Sequence, residues 1–205
     1  MNQNPLRALE ALGQSIWIDF IRRETTISGE LKRLIEQDGV SGVTSNPSIF
    51  EKAIGESHDY DESIQSLTAE GKDAGEVFQS LAVEDIQMVA DLLRPTYLRT
   101  GGQDGFVSLE VSPTLAHDTN GTLEEARRLW SRVDRANCMI KVPATSEGLP
   151  AIQQLTAEGI NVNITLLFGL PRYQEVTDAF ITGLENRTKQ GKSVKQIASV
   201  ASFFL

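Results

Sequence analysis

Lys141 is the residue best placed to do chemistry, because it is the one charge in an apolar, strand-forming run, Asn137-Cys-Met-Ile-Lys-Val-Pro-Ala-Thr145. Alternation with period two puts Met139, Lys141 and Pro143 on one face and Ile140, Val142 and Ala144 on the other. The ammonium is therefore expected to point inward. An interior lysine must find a counter-charge or give up its proton, and desolvation can lower its pKa from about 10.4 by several units. A neutral lysine in a pocket attacks carbonyl carbon, the opening step of Schiff-base catalysis. The alternative is a lysine near a strand end whose ammonium reaches out to water.

The groups that would work with it lie on other strand-like stretches: Ser15 to Asp19, Gly42 to Asn46, Phe106 to Ser112, Asn161 to Phe168 and Ile197 to Phe204. Each has an aliphatic face and a second face ending in a polar group. Those groups are Asp19, Asn46, Glu110, Lys141, Asn163 with Thr165, and Ser202. A lysine flanked by carboxylates and amides is equipped for imine chemistry, since the iminium is an electron sink for breaking an adjacent carbon-carbon bond. One carboxylate must take a proton from the hydroxyl beyond that bond, and another acid or base must move protons while the imine forms. Asp19 and Glu110 are the candidates. Asn46, Asn163 and Ser202 can hydrogen-bond a polyhydroxylated ligand. Ionised carboxylates would raise the lysine pKa, so desolvation and polar partners must dominate if free amine is to exist.

Each residue has a plainer alternative. Asp19 and Glu110 could pair with Lys141 as a buried ion network. Asn46, before Pro47, could be a turn residue or a helix cap. Asn163 and Thr165 could satisfy backbone groups at a strand end, and Ser202 alone is a weak signal. His58 and His117 lack ligand spacing, so exposed or capping roles are expected and no metal site. Arg22 and Arg23 read either as a solvated face or as a phosphate contact.

The elements that must position these groups alternate between strand and helix. Residues 5–12 read as a short helix ended by Gly13, and Ser28 to Gln37 as a helix with Gly39 past its end. From Pro47 to about Leu93 the chain is mostly helical, strongest over Leu81 to Leu93, and Arg94-Pro95 is expected to end or bend it. Thr122-Leu-Glu-Glu125 fits a capping box that opens a helix with Leu123, Ala126, Leu129, Trp130 and Val133 as its stripe. Thr145 or Ser146 can cap the next helix, which stops at Gly159, and Tyr173, Val176, Phe180 and Leu184 mark the last. Such alternation implies βαβ units and a parallel sheet. An open doubly wound sheet would bury both strand faces in near-continuous apolar runs, and these strands alternate instead. Polar groups near the ends of six strands suggest a ring around one pocket, the layout of a (β/α) barrel. No glycine-rich dinucleotide fingerprint or phosphate loop follows any strand.

Composition bounds the rest. At 205 residues, 40% hydrophobic and 23% charged, one globular domain is expected, with a helical insertion at about 47–94. A formal charge of −9 argues against nucleic-acid or anionic-membrane partners. The single cysteine, Cys138, reads as a buried hydrophobe in a reducing compartment. With no secretory leader pattern and no apolar run of about 18 residues, a cytoplasmic location is expected.

At these residues the chain resembles transaldolase. The matching pieces are Ser15-Ile-Trp-Ile-Asp19, Gly42-Val-Thr-Ser-Asn-Pro-Ser48, Val107-Ser-Leu-Glu-Val-Ser112, Leu115-Ala-His-Asp118, Met139-Ile-Lys-Val-Pro-Ala-Thr145, Val162-Asn-Ile-Thr-Leu-Leu-Phe168 and Ser199-Val-Ala-Ser-Phe203. Each is weak alone; seven in order are specific. The lysine on strand four, after a long helical insertion behind Asn46, resembles the longer bacterial transaldolases more than the compact fructose 6-phosphate aldolases of the same superfamily.

The resemblance implies a TIM (β/α)8-barrel fold with about six of eight strands present. It also implies transfer of a dihydroxyacetone unit from sedoheptulose 7-phosphate to glyceraldehyde 3-phosphate, in the pentose phosphate pathway, without metal or organic cofactor. Lys141 would form the Schiff base, Asp19 would serve aldol cleavage, and Glu110 would act with Thr165 through a water in imine formation. Asn46, Asn163 and Ser202 would hold the dihydroxyacetone moiety. Family members continue past strand six into a phosphate-binding arginine and two further strands, whereas this chain stops at Leu205. Truncation after strand six is therefore expected, with open barrel edges inviting self-association. An inactive self-associating piece and an aldolase-like lyase stand as alternatives.

Overall fold

The structure is a computed structural model that describes residues 4–204. Strand order follows chain order from β1 to β6, with helices between successive strands. That strand-helix repeat is the α/β fold of the TIM-barrel family, with six strands among the described residues. By internal contacts the chain forms two compact units, Met1–Val107 with Arg135–Asn137, and Ser108–Asp134 with Cys138–Leu205.

In the first unit, α1 (Pro5–Ala11) starts at Asn4, whose side chain accepts the Leu6 N–H. Strand β1 (Ile16–Asp19) pairs in parallel with β2 (Val40–Thr44), placing Trp17 opposite Gly42 and Asp19 opposite Thr44. Gly42 has to be glycine because a Cβ there would overlap the Trp17 indole. Strand β2 in turn pairs with the start of β3 (Phe106–Glu110).

The helix expected over Ser28 to Gln37 forms as α3 (Glu30–Arg33), continued directly by a π-helical segment over Leu34–Asp38, and a separate short helix, α2 (Arg23–Ile27), precedes it. Gly29, at φ 85°, is the break between α2 and α3, and Gly39, at φ 78°, ends the segment as expected.

After β2 come α4 (Pro47–Gly55), α5 (Asp61–Ala69) and α6 (Ala74–Arg99). The last opens on a capping box between Asp73 and Glu76. It does not end at Arg94-Pro95 but runs to Arg99, because Leu93 and Thr96, on either side of the proline, are buried and packing outweighs the lost backbone bond. Beneath these helices Arg23 donates to Asp85 at 2.8 Å and to Glu84 at 2.9 Å. The Tyr60 hydroxyl donates to Asp85 at 2.7 Å, and the guanidinium lies 4.5 Å from the Tyr60 ring centre. Arg23 is thus an interior structural cation, neither solvated nor set to meet a phosphate, while Arg22 pairs with Glu56 at 3.1 Å.

In the second unit, β4 (Cys138–Pro143) is buried at all six residues. It pairs with β5 (Val162–Leu167), with Lys141 opposite Asn163 and Pro143 opposite Thr165, and β5 pairs with β6 (Ser199–Phe203). From Ile164↔Ala201 to Leu167↔Phe203, β5 spends one residue more than β6. The extra residue is Leu166, which takes φ 59° and is 45% exposed, so the expected alternation of β5 stops at Thr165.

Helices α7 (Thr119–Val133), α8 (Gly148–Glu158) and α9 (Leu170–Lys189) complete this unit. Helix α7 begins a turn earlier than its sequence pattern suggests: Asp118 is the cap, accepting the Gly121 N–H, and Thr122 lies inside the helix. The supposed capping box of Thr122 and Glu125 is therefore not one. Thr145 does serve the start of α8, accepting the Gly148 N–H at 2.9 Å, and Gly159 ends it at φ 97°.

Candidate active site

Lys141 lies where the alternation of its strand places it, inside. Its side chain is 8% exposed and that of Glu110 14%, and Glu110 Oε2 stands 3.5 Å from Lys141 Nζ. A pair this sheltered has given up most of its hydration. The backbone fixes the same neighbours, since the Val111 N–H donates to the Lys141 carbonyl at 3.1 Å.

On β5, Asn163 and Thr165 are each 1% exposed. The Asn163 amide donates to Ser108 Oγ at 2.9 Å, and its carbonyl accepts from the Ser202 hydroxyl at 2.8 Å. The Thr165 carbonyl accepts the Ala144 N–H at 2.8 Å. One unit thus brings together five of the seven sequence candidates: Lys141, Glu110, Asn163, Thr165 and Ser202. They are a buried amine, a carboxylate beside it, and amide and hydroxyl groups able to bind a polyol.

Asp19 and Asn46 belong to the other unit. Asp19 is the exposed last residue of β1. Asn46 follows β2 and caps α4, its side-chain oxygen accepting the Ile49 N–H at 2.9 Å, as its helix-cap alternative anticipated. Opposite Asp19 in register, Thr44 Oγ1 is buried without a hydrogen-bond partner among the described residues.

Sequence reasoning passed over Ser108 and Glu125. Ser108 lies two residues before Glu110, so the alternation of β3 already put it on the site face. Glu125, hidden in the capping-box reading, is 7% exposed and accepts the Ser112 N–H at 2.9 Å.

Among the described residues no group of three or more His, Cys, Asp and Glu could hold a metal ion, and no helix is long and apolar enough to cross a membrane. His58 and His117 are exposed, beside Asp61 at 2.9 Å and Glu147 at 3.3 Å. Cys138 is fully buried, which pushes its thiol up to about 12 and keeps it a packing residue.

The strand-helix repeat, with a buried lysine-carboxylate pair among inward polar groups, puts the chain in the TIM-barrel class of α/β folds. The chain belongs to the transaldolase/fructose-6-phosphate aldolase family, whose model matches residues 16–205. It is 50% identical over 202 residues to transaldolase 2 of Nostoc sp., covering 98% of this chain and 53% of that protein. With a transaldolase of Parafrankia sp. it shares 50% identity over 201 residues, 98% of this chain and 54% of the relative. With one from Mycobacterium tuberculosis it shares 48% over 204 residues, 99% and 55%. The chain spans about half the length of the curated relatives it matches.

Proposed function

We propose that this chain carries the reaction centre of a transaldolase, and the observation that supports it most is the sheltered Lys141 amine 3.5 Å from Glu110. Lys141 Nζ adds to the ketone carbon of a ketose phosphate. Glu110, with Thr165 and a water, moves protons so that the carbinolamine loses water and becomes an iminium. Asp19 takes the proton from the hydroxyl on the carbon beyond the bond to be broken. That bond's electron pair flows into the iminium, an aldehyde leaves, and a lysine-bound enamine of dihydroxyacetone remains. The enamine attacks the acceptor aldehyde, the new alkoxide regains its proton from Asp19, and water then hydrolyses the imine to free the new ketose and Lys141. Asn46, Asn163 and Ser202 hold the dihydroxyacetone hydroxyls. The substrates in this reading are sedoheptulose 7-phosphate and glyceraldehyde 3-phosphate, with no metal or organic cofactor in any step and the cytoplasm as the setting.

Borohydride trapping with a ketose phosphate, followed by peptide mass mapping, tests the proposal on these 205 residues and on any longer natural protein that contains them. A reduced adduct on Lys141 is expected. An adduct on another residue, or none in either protein, removes the reading. The lyase version of the same chemistry is separated by asking whether turnover needs an acceptor aldehyde.

A second reading rests on exposed Leu166, Phe168, Leu170 and Phe204, where Phe168 and Phe204 stack 5.3 Å apart. These apolar groups favour self-association of the chain, which light scattering would detect as a mass above the monomer. A monomer with ordinary transfer activity would end that second reading.

A further inference from the structure

We propose that Glu125 is a positioning residue for the Glu110–Lys141 pair, an inference that rests on the transaldolase reading. Glu110 is the last residue of β3, and the next two peptide groups are both hydrogen-bonded to fixed partners. The Val111 N–H donates to the Lys141 carbonyl at 3.1 Å, and the Ser112 N–H donates to Glu125 Oε2 at 2.9 Å. Between them these bonds hold the backbone carrying the Glu110 carboxylate, one from the strand that bears the lysine and the other from α7.

A carboxylate buried as deeply as that of Glu125 is a costly acceptor for a backbone N–H. Glu125 is 7% exposed, and burying a charge is unfavourable unless its hydrogen bonds and counter-charges compensate. Arg128, one turn on, supplies part of that compensation at 3.4 Å. A charged acceptor grips an N–H about twice as strongly as a neutral one, which suits a post that must not drift.

The surrounding loop is tied to the same helix and to the end of β4. The Thr122 hydroxyl donates to the Leu115 carbonyl at 3.0 Å, and that of Thr145 to the Ala116 carbonyl at 2.6 Å. The Thr119 hydroxyl donates to the Glu147 carbonyl at 2.7 Å. The segment from Glu110 to Asp118 therefore moves with α7 and β4, and Glu125 is its anchor nearest the site. Proton transfer depends steeply on such placement, since a displacement of about 1 Å can cost about a hundredfold in rate.

The experiment compares wild type, Glu125→Gln and Glu125→Ala at natural length. It reads the rate of borohydride-trapped imine on Lys141, the ketose concentration at half-saturation, and hydrogen exchange at the Val111 and Ser112 amides, with circular dichroism confirming the fold. Glu125→Ala, which has no acceptor, should speed exchange at both amides and slow imine formation at least about tenfold with little change in half-saturation. Glu125→Gln keeps an oxygen for the Ser112 N–H and should stay within about threefold of wild type in rate.

Two results overturn the proposal: wild-type exchange and rate in a folded Glu125→Ala protein, or a folded Glu125→Gln protein as slow as Glu125→Ala. Absence of any trapped imine in wild type overturns the transaldolase reading itself. The amide exchange still reports in that case whether Glu125 holds the Glu110 backbone.

Discussion

The side-chain amide of Asn163 donates to the Ser108 hydroxyl across 2.9 Å, and this bond ties β5 to β3 at the site. With Ser202 donating to the carbonyl end, the Asn163 side chain is held from both sides. A residue expected to grip substrate is thereby fixed before substrate arrives.

Replacing Ser108 by alanine should therefore show in stability and in binding together. The variant leaves a buried N–H of Asn163 without its acceptor, at a cost of about 1–3 kcal/mol. Urea unfolding should show a lower midpoint with unchanged slope, and the ketose phosphate should bind more weakly. An unchanged midpoint with unchanged binding would mean the amide has an equally good alternative partner.

Glu110→Gln keeps the size of the side chain and removes its charge. If Glu110 moves protons during imine formation, trapping on Lys141 should slow by about a hundredfold or more. Asp19→Asn is the contrasting variant. Its proposed proton transfer belongs to bond cleavage, so it should accumulate trappable imine yet fail to release aldehyde. Equal trapping rates in wild type and Glu110→Gln would remove Glu110 from the mechanism.

Asp85 and Glu158 should respond to pH with opposite signs. Burial is the largest influence on the Asp85 carboxyl and raises it above its ordinary 3.8, against the Tyr60 hydrogen bond and the Arg23 charge. The folded protein then holds that proton more tightly than the unfolded chain. The Asp85 contribution to stability is full below 3.8 and falls as pH rises through the folded value. For Glu158 the hydrogen bond from Arg127 is the largest influence and lowers the carboxyl below its ordinary 4.5. Its contribution is present above 4.5 and is lost as pH falls through the folded value. Urea unfolding from about pH 4 to about pH 7 checks both signs. Relative to Asp85→Asn, wild type should lose stability with rising pH; relative to Glu158→Gln it should gain, by no more than about 1 kcal/mol for so accessible a pair. A gap that moves the other way for either residue refutes its assignment.

Gly42→Ala puts a methyl group into the Trp17 indole. The ring must move or β1 and β2 must part, and overpacking of this kind costs about 1–3 kcal/mol. The Trp17 Nε1–H donates to Ser15 Oγ at 2.9 Å, so displacement should also shift the tryptophan emission. Unaltered emission and stability would show that the indole has room to yield.

Much of the fold was legible because burial leaves a periodic trace in a strand. Period two around Lys141 marked an inward amine, and the same alternation marked Glu110, Asn163 and Thr165, all of which the structure draws into one unit. Local chemistry misled where two readings were equally good over a few residues. Asp118 and Thr122 are both capping types, and only the path of the loop from Ser112 to Asp118 makes Asp118 the cap and frees Glu125 to hold Ser112. Leu166 continues an apolar run in the sequence, yet the pairing of β5 with β6 inserts it as an extra residue and turns it outward. Arg23 looked like a surface base beside Arg22 until Asp85, 62 positions away, closed on it.

By itself, then, the order of residues determined where the strands form and the alternation that turns Glu110, Lys141, Asn163 and Thr165 inward, since those follow from nearest-neighbour geometry and the apolar content of each stretch. Tertiary structure alone decided the partners: the carboxylate that meets the lysine, the serine that bonds to Asn163, the glutamate that grips the loop. Hydrogen bonds between residues far apart in the chain depend on how separate elements come together, and no short window of sequence carries that distance.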